Sequence, residues 1–96
     1  MQYFYRAHTR PEDVLAFARE FFGGRGFNAA GAGDAQTFTD PRGVVKVATE
    51  SEGGHYLRVT VGTSDVGESE IDKVAKRFLS ELHHTEEPGH EVRGAY

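Results

Sequence analysis

The chain has 96 residues and 10.6 kDa, with 38% hydrophobic and 27% charged residues, no cysteine, a formal net charge of −4 and a pI near 5.7. That size suits one domain with one modest core, and the composition is that of a folded chain rather than a disordered one. Disulfides, zinc–thiolate sites and thiol catalysis are excluded, and the acidic balance argues against nucleic acid or anionic lipid as a bulk partner.

Gln2–His8, QYFYRAH, is rich in aromatics and alternates, which predicts a strand. One face would carry Tyr3, Tyr5 and Ala7, the other Gln2, Phe4, Arg6 and His8. The pattern alone does not choose which is buried. A helix is expected next. Thr9 is the candidate N-cap, Glu12 stands three residues on as in a capping box, and Pro11 lies in the first turn. Val14, Phe17, Ala18 and Phe21 recur at helical spacing, widened by Leu15 and Phe22. Gly23–Gly24 is expected to supply the left-handed residue that ends the helix.

Short strands are expected at Phe27–Ala30, Ala35–Thr39, Val44–Thr49 and Tyr56–Val61. DPRG, Asp40–Gly43, suits a type I turn. ESEGGH turns the chain before the last strand, so these strands form antiparallel hairpins. The final helix is expected near Ser69–His83, with Ile71, Val74, Ala75, Phe78 and Leu82 on one stripe. Ser69 or Asp65 would cap it, and Asp72–Lys76 is a favourable i, i+4 pair. Residues 85–96 are polar and turn-rich and read as a flexible C-terminal tail to a single domain over 1–84.

The order is β-α-β-β-β-β-α. Two amphipathic helices need one apolar surface to bury their stripes. The economical solution is an α+β two-layer sandwich, an antiparallel sheet of about five strands with both helices on one face. Alternation then turns Val45, Val47, Leu57, Val59 and Val61 inward, and Val44, Lys46, Ala48, Tyr56, Arg58 and Thr60 outward.

The residues of chemical interest fit structural roles. GAGDA, Gly31–Ala35, leads into a strand and GGRG, Gly23–Gly26, follows a helix end, so both read as turns rather than phosphate cradles. His8, His55, His83, His84 and His90 lack the i, i+4 spacing of metal ligands on one helix. Ser51, Ser64, Ser69 and Ser80 sit in no GxSxG elbow, and the two ESE clusters, Glu50–Glu52 and Glu68–Glu70, read as solvated turn and helix-start residues. No cofactor or metal is therefore expected, and no enzymatic activity.

What remains is the open sheet face. It predicts a small non-enzymatic interaction module that pairs with a protein partner or forms a homodimer, through that face or an edge strand. The candidate surface is Phe4, Arg6, Lys46, Tyr56 and Arg58, since tyrosine and arginine are enriched at interfaces. Two other classes stand beside it. One is a nucleic-acid contact using Arg6, Lys46 and Arg58 as a basic track with Phe4 or Tyr56 as stacking groups, which the net charge disfavours. The other is a small-ligand regulatory domain with a pocket between helices and sheet. MQYFYRAH has no leader pattern, and no apolar run approaches the ~20 residues of a membrane span. A cytoplasmic location and no membrane partner are expected.

Overall fold

The computed structural model describes residues 1–31, 33–54, 56–64 and 69–86. Its elements follow the expected order: β1 (Gln2–Ala7), α1 (Pro11–Gly23), β2 (Asn28–Ala30), β3 (Ala35–Asp40), β4 (Gly43–Glu52), β5 (Tyr56–Thr63) and α2 (Glu70–Glu86). The strands form one five-stranded sheet in the order β1-β5-β4-β3-β2, antiparallel at every junction. β1 and β2 therefore stand at opposite edges, and α1 carries the chain across the sheet between them. α1 packs over β2, β3 and β4, and α2 over β1, β5 and β4, so both helices cover one face.

The inner face is built as the alternation requires. Val45, Val47, Leu57, Val59 and Val61 are buried, and Ala7 joins them from β1. This settles the orientation of the first strand. Tyr3, Tyr5 and Ala7 face the helices, and Gln2, Phe4 and Arg6 face outward. Phe22 is the centre of the core. Its ring lies 4.7 Å from Phe38, 5.0 Å from Phe21, 5.2 Å from Phe78 and 5.3 Å from Phe27. Phenylalanine rings thus fill the space between helices and sheet.

The start of α1 differs from expectation. Its N-cap is Arg10, not Thr9, and no side chain caps it. The cause is Pro11 at the first helical position. A proline excludes the residue before it from the helical region, so Arg10 is extended (φ −84°, ψ 152°) and takes the cap position. Thr9 stands one step outside, with its hydroxyl 3.4 Å from Asp13 Oδ2. Arg10 places a cation at the positive end of the helix, offset by Glu12 and Asp13. Arg10→Ser should therefore raise stability by about 0.5–1 kcal/mol by adding the missing acceptor, while Thr9→Ala should move it by a few tenths at most. Urea melts of both variants check the assignment; a loss near 1 kcal/mol for Thr9→Ala would contradict it.

The end of α1 also differs. Gly24 is still right-handed, and the left-handed residue is Gly26 at φ +90°. Gly26 N–H donates to Gly23 O at 3.1 Å, and Phe27 N–H to Phe22 O at 3.0 Å. That pair of bonds is a Schellman motif, and the Phe22–Phe27 ring contact is its usual hydrophobic closure. The first two glycines of GGRG continue the turn; the third ends it.

At the β3–β4 turn, Asp40 accepts from Arg42 N–H and from Arg42 Nε, each at 2.7 Å. The Arg42 guanidinium holds the Asp40 carboxyl below its ordinary value. This contribution is present above the ordinary carboxylate range and is lost as pH falls through the lowered value. Arg42 also covers the Phe27 ring at 4.9 Å and donates to Arg25 O, tying the turn to the end of α1.

α2 is capped by Ser69, whose Oγ accepts from Asp72 N–H at 3.1 Å. Asp72 is buried and accepts from the Tyr3 hydroxyl of β1, with Lys76 Nζ 3.5 Å from its other oxygen. The helix runs to Glu86, beyond the expected His83, so Thr85 and Glu86 are helical rather than tail. Thr85 Oγ1 donates to Leu82 O at 2.7 Å. The rest of the expected tail, residues 87–96, and the alternative cap Asp65 lie outside the described residues.

Candidate functional site

The outer face owes its character to three neighbouring strands. β1 and β5 pair so that Arg6 stands directly opposite Arg58 and Phe4 opposite Thr60. Like charges directly opposite destabilise a sheet. The side chains relieve this by lying across the face. Arg6 covers the ring of Tyr56 at 4.7 Å, and Arg58 approaches the ring of Phe4 at 5.6 Å. Those are diagonal neighbours, within reach of long side chains.

β4 completes the arrangement. Arg58 Nη2 donates to Glu50 Oε1 at 3.3 Å, and its Nε lies 3.5 Å from Glu52 Oε2. That Nε is closed off from solvent without a hydrogen bond of good geometry. Glu50 and Glu52 were expected in a turn. Instead β4 continues to Glu52, where Glu52 pairs with Tyr56 and Glu50 with Arg58. The signal was present: the alternation Lys46, Ala48, Glu50, Glu52 runs unbroken past Thr49. Acidic residues are poor strand formers, so propensity hid it.

Four of the five expected surface residues therefore meet: Phe4, Arg6, Tyr56 and Arg58. Lys46 shares their face but stands apart. It pairs with Gly62 and Thr37, and lines a separate depression of about 490 Å3 with Gln2, Val44 and Ser64. Gly62, lacking a side chain, opens that depression. Phe4, Tyr5, Arg6, Glu52 and Arg58 line a shallow groove of about 600 Å3 at the β1 edge. Phe4 is 58% exposed, the most exposed large apolar side chain among the described residues.

The other candidates are used structurally. Ser64 Oγ accepts from Val44 N–H at 3.1 Å, and Ser69 is a cap. His83 Nδ1 lies 3.2 Å from the Tyr5 hydroxyl. His55 and His90 lie outside the described residues. Among the described residues, no three of His, Cys, Asp and Glu stand together as a metal site would need. No helix among them is long and apolar enough to cross a membrane. No protein-family model matches the chain, and no curated protein matches it in sequence.

Proposed function

We propose that the chain is a non-enzymatic protein-interaction module that self-associates through the outer sheet face beside β1. The observation that carries this is Phe4, 58% exposed on an edge strand and framed by Arg6, Arg58 and Glu52. An exposed aromatic ringed by paired charges of both signs has the make-up of a small interface: an apolar anchor and a polar rim. A surface holding both arginines and glutamates also meets its own copy without a net like-charge clash, which favours a two-fold pairing. Glu50 and Glu52 beside Arg58 weigh against a basic track for nucleic acid, and the phenylalanine-filled interior weighs against a ligand pocket beneath the helices.

Phe4→Glu is the direct test. Sedimentation velocity over a concentration series should show a wild-type dimer, and a variant that stays monomeric with an unchanged thermal melt. Arg58→Glu is a poorer probe, because it would gather three carboxylates on adjacent strands and strain the monomer itself. A wild type that remains monomeric up to millimolar concentration would sink the self-association reading.

A further inference from the structure

Resting on that reading, we infer that the two copies join edge to edge, β1 against β1 of the second copy, antiparallel about a two-fold axis through Phe4. Backbone geometry supplies the first reason. In an antiparallel pair, alternate residues turn their N–H and C=O toward the neighbouring strand. Thr63 N–H donates to Met1 O at 2.8 Å, so the odd residues of β1 face β5. The N–H and C=O groups of Gln2, Phe4 and Arg6 consequently point away from β5, to the edge where no other described strand pairs.

The second reason is that, among the described residues, this edge carries little of the usual protection, Arg6 being the one charge on the strand. Edge strands are commonly blunted by proline, by an inward-pointing charge, by a bulge or by shortness. β1 is six residues long, QYFYRA, and its inward side chains are Tyr3, Tyr5 and Ala7. Its register with β5 is continuous from Gln2 to Ala7. The opposite edge, β2, has only three residues. Of the two edges, β1 is the one built to accept a strand.

The third reason selects a second copy as the occupant, and sets its register. A two-fold axis at Phe4 sets Phe4 against Phe4 of the second copy and Gln2 against Arg6. Each of these pairs joins residues whose N–H and C=O point outward, so each can exchange two hydrogen bonds. Two exposed rings then cover each other, Arg6 faces a neutral amide, and Arg6 reaches the second copy's Phe4 diagonally. An axis at Arg6 would instead oppose two arginines.

The test uses the full chain, whose lack of cysteine makes single substitutions unambiguous. Gln2→Cys and Arg6→Cys are prepared separately, each retaining Phe4, then mixed and mildly oxidised. The mixture should yield a disulfide-linked dimer, while either variant alone should not, because equal positions lie four residues out of register. Phe4→Pro is the second arm. It removes an outward N–H at an edge position where proline is tolerated, so the thermal melt should hold. The dimer should weaken by about tenfold or more. A dimer that survives Phe4→Pro and gives no mixed cross-link would overturn the edge pairing while leaving self-association standing. A wild type without any dimer removes both. A monomer that captures an extended peptide at this edge overturns the second copy as occupant and retains the interaction module.

Discussion

Phe22→Ala should lower stability by about 3–5 kcal/mol, the range for deleting a large aromatic from a packed core. The position warrants the upper part of that range. Phe22 is completely buried and touches rings from α1, β3, α2 and the α1–β2 connection. Four surrounding rings cannot all relax into one gap, so most of the cavity should persist. Phe22 also supplies the hydrophobic closure of the Schellman motif and the carbonyl that Phe27 N–H uses. The carbonyl survives the substitution; the ring contact does not. Typical domains hold only about 5–15 kcal/mol in all, so the variant should be marginal at 37 °C. Urea denaturation read by circular dichroism would measure it. A loss below about 1.5 kcal/mol would mean that Phe21 or Phe27 refills the site.

The second large effect should come from Asp72→Ala, at about 2–3 kcal/mol. Asp72 is 1% exposed, yet it accepts from Tyr3 and pairs with Lys76. A hydrogen bond to a charged group contributes more than a neutral one, and its loss leaves the Tyr3 hydroxyl beneath α2 without that acceptor. Lys76 is about half exposed, so its share is screened and small. The helix cap itself should survive, because Asp72 contributes its backbone N–H to Ser69 and alanine retains that donor. A double-mutant cycle with Tyr3→Phe separates the bond from the side chains. The two single losses should exceed the double loss by on the order of 1 kcal/mol. Strict additivity would show that the Tyr3–Asp72 bond contributes nothing to folding.

These two sites differ in how visible they were beforehand. Phe22 widened an apolar stripe of helical period, so its burial followed from the spacing alone. Asp72 was legible only as an i, i+4 neighbour of Lys76. Its acceptor role depends on Tyr3, sixty-nine positions away, and no local rule reaches that far. The candidate surface divides in the same manner. Tyr56 and Arg58 were placed outward by the alternation of their own strand. Phe4 and Arg6 could not be assigned to a face, because Tyr3 and Tyr5 offer aromatic rings as large as that of Phe4 on the alternate set. The choice was made by Ala7, buried at the end of the strand, and by tyrosine hydroxyls that reach α2.

By itself the sequence determined the number and order of elements, the antiparallel hairpins, the inner faces of β4 and β5, and the choice of α2 cap down to Ser69 or Asp65. Each rests on interactions among residues close in the chain: periodicity, turn chemistry and capping. Pro11 and Gly26 belong with these, since the restriction before proline and the left-handed C-terminal residue are local rules whose signals the sequence already contained. Only the tertiary structure decided which face of β1 is buried, that both Glu50 and Glu52 lie against the Arg58 guanidinium, and that Lys46 stands apart from Phe4 and Arg6. Those outcomes depend on which strands become neighbours. The order β1-β5-β4-β3-β2 sets the first strand against the last, and that pairing brings Phe4, Arg6, Tyr56 and Arg58 onto one surface.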